Sequence, residues 1–368
     1  MRFFSYYKDK NIVNLSNSIL KRYGVDLFHE SLTEIDEILQ KHRKIALFLF
    51  DGFGKSISER HLSEDSFLMK NKFTTISSTF PPTTVAATNA MKSGRYPAET
   101  GWLAWSFLDR VNNRAIEYFT HKNYDTKELI DDFDFSQFAY ESIFELIRKN
   151  NKDVAVFENY PKGISDGPVD GFENMDQMLE KVSDVLKNND DALIYSYYLE
   201  PDHSLHRLGT KNGKIYEICS EINEKIEKFA KENPDTLILV YADHSHIDIS
   251  PIFFADLKEL HECVTTIYAI EARCASFDVK EGKKEKFLEF YKNNLEPYYD
   301  ILTKEEAIEM SLFGMTKSSE WVEKHVGDYL LIAVGKSSLE NFKLDPMIAT
   351  HGGGTKEENL INLFIINK

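Results

Sequence analysis

Short apolar runs of strand length, separated by segments with helical periodicity, are the feature that most limits the fold of this chain. Five runs occur, and all are continuous rather than alternating with polar residues: IALFLF (45–50), DVAVFE (153–158), ALIYSYY (192–198), TLILVYA (236–242) and NLFII (362–366). Strands that are apolar along their whole length are typical of a parallel sheet covered on both faces. The pattern predicts an α/β fold with a doubly wound, mostly parallel sheet and helices on both faces.

The segments between the runs support this prediction. Apolar residues recur at helical spacing ahead of a Pro: Ile215, Ile218, Ile222, Ile226 and Phe229. This periodicity indicates an amphipathic helix that packs on the sheet. Ser31, with Glu34 three residues later, fits a capping box for the helix that precedes the first run.

The pattern changes after TLILVYADHSH. Residues 255–345 carry their own strand and helix signals, and no Gly/Ser-rich linker separates them from the rest of the chain. We therefore predict a main domain of residues 1–254 and 346–368 that carries a small α+β cap insert at 255–345. The insert interrupts the chain between two of the histidines discussed below, so we expect it to cover the mouth of the site.

Charge and cysteine content limit which partners the chain is expected to bind and which cellular compartment it is expected to occupy. The chain has 44 Lys and Arg against 60 Asp and Glu, a net charge of −16, which disfavours binding to a nucleic acid polymer or an anionic membrane. Cys219, Cys263 and Cys274 show no CxxC spacing, and the N-terminus lacks the apolar core of a signal peptide. No apolar run has the length of a membrane span. We predict a cytoplasmic protein.

Acidic side chains follow three of the apolar runs. Asp51 occurs in FLFDGFG, Asp202 in YSYYLEPDHSLH and Asp243 in LVYADHSH. A single Asp after a strand is usually a turn or cap residue. Open α/β sheets, however, bind ligands beyond the carboxyl ends of their strands, so we expect the three carboxylates to meet there.

Histidines accompany these acids. His206 comes four residues after Asp202, His244 follows Asp243 directly, and His351 lies in THGGG before the last run. Carboxylate and imidazole ligands suit Zn²⁺, and also Mn²⁺ or Fe. There are more such ligands than one tetrahedral ion binds. The sequence therefore predicts two divalent metal ions, with Zn²⁺ favoured.

A hydroxyl nucleophile would need such ions, because a free Ser or Thr hydroxyl is hardly ionised at neutral pH. In STFPPTTVAATNAMKSGRYP, two prolines precede a short helix that should end near Gly94. Thr84 would lie at the N-terminus of this helix, where backbone N–H groups and the helix dipole stabilise anionic oxygen. Helix capping is the alternative role of Thr83 and Thr84.

Together, DGFG after a strand, PPTTVAATNAMKSGRYP, EPDHSLH, ADH and THGG resemble, in this order, the motifs of the alkaline phosphatase superfamily. The closest resemblance is to its nucleotide pyrophosphatase/phosphodiesterase branch, and it covers residues 45–250 and 345–368. It implies two sets of metal ligands: Asp51, Thr84, Asp243 and His244 for one ion, and Asp202, His206 and His351 for the other. It also implies that Thr84, ten residues before the glycine of SGRYP, forms a phosphothreonine intermediate.

One departure from that branch concerns the substrate. The branch usually has an Asn downstream of the nucleophile that contacts a phosphoryl oxygen, whereas this chain has Trp105 in GWLAWS. We predict a phosphodiesterase or nucleotide pyrophosphatase acting on a small-molecule phosphate ester. A phosphomonoesterase or a phosphonate hydrolase of the phosphonoacetate kind is the alternative, and a noncatalytic metal-binding protein is a remote one.

Four further polar residues have open roles. His203, His246 and Asp248 either orient metal-bound imidazoles or lie in solvent-exposed loops. Arg273, in the insert, either contacts a leaving group or makes a surface salt bridge.

Overall fold

The structure is a computed structural model of the chain, and it describes residues 1–3, 10–164, 171–316, 319–341 and 347–368. Within these ranges the strands are β1 (Lys44–Phe50), β2 (Lys72–Ser77), β3 (Ser106–Asp109), β4 (Arg114–Glu117), β5 (Ala155–Asn159), β6 (Ala192–Tyr198), β7 (Thr236–Tyr241), β8 (Ile247–Asp248), β9 (Ser250–Phe253), β10 (Ala269–Glu271), β11 (Cys274–Phe277), β12 (Tyr299–Thr303), β13 (Tyr329–Ala333), β14 (Ser337–Glu340), β15 (Ala349–Thr350) and β16 (Leu360–Ile366).

The helices of the same ranges are α1 (Ile12–Arg22), α2 (Thr33–Gln40), α3 (Lys55–His61), α4 (Phe67–Lys70), α5 (Thr84–Ser93), α6 (Pro97–Thr100), α7 (Ile143–Asn150), α8 (Met175–Asn188), α9 (Asp202–Leu208), α10 (Gly213–Glu232), α11 (Lys258–His261), α12 (Lys284–Asn294), α13 (Lys304–Glu309), α14 (Glu320–His325) and α15 (Lys356–Asn359). Two 3₁₀ turns, Phe135–Phe138 and Phe254–Asp256, complete the elements.

A six-stranded sheet in the order β2-β16-β7-β1-β6-β5 forms the centre of the fold. Strands β7, β1, β6 and β5 are parallel neighbours. Strand β16 runs antiparallel to both β2 and β7. The predicted α/β fold, with a mostly parallel sheet flanked by helices, is confirmed. The sheet is mixed because the last predicted strand runs in the opposite direction.

Of two predictions about individual helices, the one for α10 is confirmed and the one for the helix after Ser31 is wrong. Helix α10 buries the predicted apolar face, which includes Ile215, Ile222 and Phe229, as expected for a helix that packs on the sheet. The capping box at Ser31 is wrong. The N-cap residue of α2 is Leu32, without a side-chain cap, and the Ser31 hydroxyl donates to Asp36 instead at 2.7 Å.

A second, antiparallel sheet has the order β12-β13-β11-β10-β3-β4. Its strands β10 to β13 come from the predicted insert, which also contributes α11 to α14. Strands β3 and β4, however, come from residues 106–117. The sheet of the insert therefore extends beyond the predicted 255–345, and the predicted boundary at 346 lies outside the described residues.

The two sheets share a packed interface. One face of the second sheet, which includes Ile270, Cys274 and Ile332, belongs to the large core of the central sheet. Its other face builds a separate core that includes Phe277 and Leu331. Full burial of one large apolar side chain contributes about 1.5–3 kcal/mol, so the shared interface holds the insert against the main domain.

Candidate metal and active site

Three buried or half-buried carboxyl groups meet at the carboxyl ends of neighbouring strands. Asp51 follows β1, Asp243 comes two residues after β7, and Asp202 begins α9 after β6. Strand β1 lies between β6 and β7, which brings the three strand ends together. Burial, and then the Asp202 and Asp243 carboxylates, raise the pKa of Asp51 well above its ordinary value. Such close like charges call for a cation.

Thr84 lies directly against this cluster. It is the first residue of α5, and the helix ends at Gly94 with φ +70°, as predicted. Thr84 Oγ1 is 3.4 Å from both carboxylate oxygens of Asp51 and 3.1 Å from His244 Nε2. His244 Nε2 is also 3.5 Å from Asp243 Oδ2. The structure thus brings together the four residues that the resemblance assigns to one ion.

Helix α5 is held rigidly by the core. Most of its residues are buried, and α1 packs along it. The hydroxyl of Ser16 donates to the Met91 carbonyl at 2.6 Å, and the amide of Asn17 donates to the Gly94 carbonyl at 2.9 Å. The position of Thr84 is therefore set by buried packing and hydrogen bonds along the whole helix.

A second group of donors lies around Asp202. The donor atoms of Asp202, His206, His246 and His351 all lie within 4.8 Å of one another. The Nε2 atoms of His206 and His351 are 3.3 Å and 3.8 Å from Asp202 Oδ1. The structure thus brings together the three residues of the second predicted set and adds His246 to them.

The imidazole rings are oriented by backbone carbonyls. The Nδ1 atoms of His206 and His351 lie 3.0 Å from the Ala349 carbonyl and 3.1 Å from the Pro82 carbonyl. A carbonyl only accepts hydrogen bonds, so each Nδ1 carries the proton and each Nε2 presents its lone pair to the cluster. This arrangement is typical of histidines that bind metal ions.

Among the three polar residues with open roles near the motifs, His246 alone reaches the donor groups. Its side chain is fully buried, and its Nε2 lies 2.6 Å from Asp202 Oδ1. Burial lowers the pKa of His246 to about 4, so the ring is neutral at pH 7. His203 is exposed, and Asp248 accepts the N–H of Thr210 at 2.7 Å.

The two predicted histidine ligands of the second group have pKa shifts in opposite directions. Burial alone would lower the pKa of His206, but the Asp202 carboxylate outweighs it and the pKa is raised. Burial, followed by the neighbouring His244 and His246, lowers the pKa of His351 well below its ordinary value. His351 is therefore neutral and able to act as a ligand at pH 7.

Two buried polar atoms show that these residues fit metal ions. Asp243 Oδ2 and His246 Nδ1 are buried and make no hydrogen bond. An unpaired buried carboxylate oxygen is costly, and a divalent cation removes that cost. The donor set of Asp carboxylates and His nitrogens is also the set that Zn²⁺ and similar ions use.

Tyr197 is a residue of the site that the sequence analysis missed. It lies in β6, is buried, and its hydroxyl donates a hydrogen bond to Asp51 Oδ2. That bond orients the carboxylate toward Thr84. The sequence signal that could have identified Tyr197 is its place one residue before the end of β6, the strand that leads to Asp202.

The prediction of a surface salt bridge at Arg273 is wrong. Arg273 is fully buried, and its guanidinium forms a two-point ion pair with Glu358, with Nε–Oε1 and Nη2–Oε2 distances of 2.7 Å and 2.9 Å. It donates also to the carbonyls of Ser337 and Gly335. These contacts give Arg273 a structural role.

The comparison with protein families agrees with this geometry. The model of the family described as type I phosphodiesterase / nucleotide pyrophosphatase matches residues 45–353, most of the chain. The chain belongs to this family. It is accordingly a metal-dependent hydrolase of phosphate esters. Family members bind two divalent metal ions, and the two donor groups form a candidate site for them.

Solved structures show the same fold. Murine ectonucleotide pyrophosphatase/phosphodiesterase 5 is 18% identical, with a TM-score of 0.62 and 87% of each chain covered. An inactive threonine-to-alanine variant of that protein in complex with AMP is 17% identical, with a TM-score of 0.62, covering 88% of this chain and 87% of that one. The human protein of the same name is 15% identical, with the same TM-score of 0.62 and the same coverage of 88% and 87%.

No curated protein sequence matches the chain. Among the described residues, no helix combines the length and the apolar composition needed to cross a bilayer.

Proposed function

We propose that this family member hydrolyses small phosphodiesters, nucleotide esters among them, with Thr84 as the covalent nucleophile and two Zn²⁺ ions as cofactors. The observation that carries the proposal is the position of Thr84 Oγ1, 3.1 Å from His244 Nε2 and 3.4 Å from the Asp51 carboxylate at the start of a buried helix.

The two ions would be held by the two sets of residues described above. Asp51, Thr84, Asp243 and His244 would hold one ion, and Asp202, His206 and His351 would hold the other, with His246 against Asp202. When bound, the ions lower the pKa of the Thr84 hydroxyl and neutralise charge on the phosphoryl oxygens. The mixture of His and Asp favours Zn²⁺.

The protein itself prepares Thr84 for attack. The groups nearest to its hydroxyl, the Asp51 carboxylate and His244 Nε2, are hydrogen-bond acceptors. These contacts fix the position of Thr84 Oγ1 beside the residues that would hold the ion. The first N–H groups of α5 have no partner within the helix, so they are available to phosphoryl oxygens at the same place.

The reaction then has two displacements. The Thr84 hydroxyl loses its proton and Oγ1 forms a bond to phosphorus, while the bond from phosphorus to the leaving oxygen breaks and that oxygen takes up a proton, which gives a phosphothreonine and a free alcohol. Water next forms a bond to phosphorus, the bond to Thr84 Oγ1 breaks, and the hydroxyl is restored. The inactive threonine-to-alanine variant of the murine relative supports a threonine nucleophile in this family, and its complex with AMP supports a nucleotide substrate.

The chemistry of the donor groups supports a diester substrate. A phosphate monoester carries two negative charges and would need additional cations, whereas the hydrogen bonds and ion pairs of the two described donor groups involve no Lys or Arg. A diester carries one charge, which two metal ions with their carboxylates accommodate.

A substrate panel tests the proposal. Bis-p-nitrophenyl phosphate, a dinucleotide, p-nitrophenyl phosphate and phosphonoacetate would be compared with Zn²⁺ and with Mn²⁺. We expect the two diesters to have the largest kcat/KM, and Zn²⁺ to support the reaction. Faster cleavage of the monoester or of phosphonoacetate would contradict the diester assignment and favour a phosphomonoesterase or a phosphonate hydrolase.

We also propose a reducing compartment, the cytoplasm, as the site of action. All three cysteines are buried and unpaired, which is the usual state of thiols there. Recovery of the native protein from outside its host cells would contradict this assignment.

A further inference from the structure

Glu271 is placed by a strained segment of the insert. The preceding residue, Ile270, has φ +74° and is fully buried. A β-branched residue is disfavoured in this left-handed region, and such strain persists only where the surrounding fold holds it, often next to functional residues. Here β10 pairs with β3 at Ile270 and Ser106 and with β11 on its other side. The positive φ of Ile270 within β10 sets the direction of the next side chain, Glu271.

The Glu271 carboxyl lies beside residues next to the nucleophile and next to a candidate ligand. Its Oε1 accepts the backbone N–H of Trp105 at 3.0 Å. Its Cγ would lie 2.9 Å from a Cβ atom at Gly352, which has φ +90° and follows His351 directly. The Thr83 hydroxyl, one residue before Thr84, lies close enough to lower the pKa of Glu271 without forming a hydrogen bond of normal geometry.

The charge of Glu271 is not compensated by a cationic side chain. No Lys or Arg in the described part of the chain pairs with it, and Trp105 N–H is its one hydrogen-bond donor there. Burial raises the pKa of Glu271 to about 7, and its charge interacts with His206 and Asp202 in the second donor group. Above neutral pH, the insert therefore adds one negative charge at the edge of the site, with no Lys or Arg of the described residues paired to it.

We propose that Glu271 is a specificity-determining residue that makes the site disfavour dianionic phosphate monoesters relative to monoanionic diesters. The inference rests on the proposed function, since it concerns substrates of the same site. A fixed carboxylate repels a second negative charge on the substrate, and one additional like charge at close range costs on the order of tenfold in affinity. The alcohol groups of a diester carry no such charge.

Replacement of Glu271 by its neutral isostere tests the proposal in the full metal-loaded protein. Glu271→Gln keeps an acceptor for Trp105 N–H and removes the charge. At about pH 8.5, above the pKa of Glu271, calorimetry should show that inorganic phosphate binds roughly tenfold more tightly to the variant, while binding of dimethyl phosphate stays unchanged. The ratio of kcat/KM for bis-p-nitrophenyl phosphate to that for p-nitrophenyl phosphate should fall by about the same factor.

Two variants separate charge from packing. Glu271→Asp retains the carboxylate and should keep the wild-type selectivity. Glu262→Gln removes an exposed carboxylate of the same insert, paired with Lys286, and should change neither binding nor selectivity. Thermal melting would check that each variant is folded.

Two results would overturn the role of Glu271. One is an unchanged affinity for phosphate in a folded Glu271→Gln protein, and the other is an equal gain in affinity for phosphate and dimethyl phosphate, which would mean that Glu271 only restricts access. Failure of the wild-type protein to cleave either ester would instead contradict the proposed function, and the two binding measurements would still test Glu271.

Discussion

Arg273 of the insert and Glu358 of α15 form an ion pair that is completely enclosed by the protein. Glu358 also accepts the N–H of Gly353 at 2.7 Å, two residues after His351. The pair therefore joins the turn between β10 and β11 of the second sheet to the glycine-rich loop that carries a candidate metal ligand. This contact fixes the position of the loop relative to the insert.

Loss of one partner should be strongly destabilising. Arg273→Met leaves the Glu358 carboxylate buried without a cation, and we expect the free energy of unfolding to fall by about 3–5 kcal/mol. Urea denaturation would measure the change. The double variant Arg273→Met/Glu358→Gln should recover part of the loss, because it removes the unpaired charge. A double variant that loses as much free energy of unfolding as Arg273→Met, or more, would contradict this explanation.

Thr84→Ala should abolish fast turnover while the protein stays folded and retains most of its metal. Loss of the nucleophile should lower kcat by on the order of a thousandfold or more. Thr84→Ser should keep some activity, because a primary hydroxyl reaches the same position. Rapid-quench detection of a phosphorylated protein, present in the wild type and absent in Thr84→Ala, would be the direct measurement.

Thr83 supplies the matched control for Thr84. It is the N-cap residue of α5, but its hydroxyl makes no capping hydrogen bond, so the alternative role in helix capping is wrong for Thr83. Thr83→Val keeps the side-chain shape, and we expect wild-type kcat and a stability change below about 1 kcal/mol. If Thr83→Val were inactive and Thr84→Ala active, the assignment of Thr84 as the nucleophile would be wrong.

Metal analysis of single variants would test the two ligand sets. His206→Ala and His351→Ala should mainly deplete one ion, whereas Asp51→Asn and Asp243→Asn should mainly deplete the other, because their donor atoms lie in different groups. His203→Ala, an exposed neighbour on α9, should retain both ions. Full occupancy in all four ligand variants would contradict the assignment.

The buried His325 should make stability depend on pH. Burial lowers the pKa of His325 to about 4 from an ordinary value of 6.5. As the pH falls below about 6.5, the unfolded chain takes up the proton first, so the free energy of unfolding decreases until about pH 4. His325→Phe, in a pocket that contains Phe107 and Trp321, should weaken this dependence. Urea denaturation of chelator-treated protein at several pH values would measure it.

The central sheet could be predicted because its parallel strands are buried on both faces and are apolar throughout. Strand β2, with the sequence KFTTIS, escaped prediction because most of its residues are only half-buried at the edge of the sheet. The direction of β16 could not be read from the sequence either. An apolar run has the same composition whichever way it points, and its direction is decided by how the chain returns from the insert.

Some residues of the site could likewise be predicted from the sequence, and others could not. Asp51, Asp202 and Asp243 were found because a strand end fixes the position of the residues that follow it. The sequence does not decide between the two roles of His246, because it does not show whether a loop histidine is buried. Glu271 was not identified at all, since it reaches the site from a different sheet and its orientation depends on the backbone of Ile270.

The second sheet draws its strands from two separate stretches of the chain, and this limits how substrate enters. A lid that swings open needs a connection about which it can turn, but here β3 and β10 are hydrogen-bonded across the join, and α14 packs on β3 and α6. Rotation of the insert as one body would break the pairing between β3 and β10. We therefore expect substrate to reach the donor groups without rotation of the whole insert, so binding should show no slow step of lid opening.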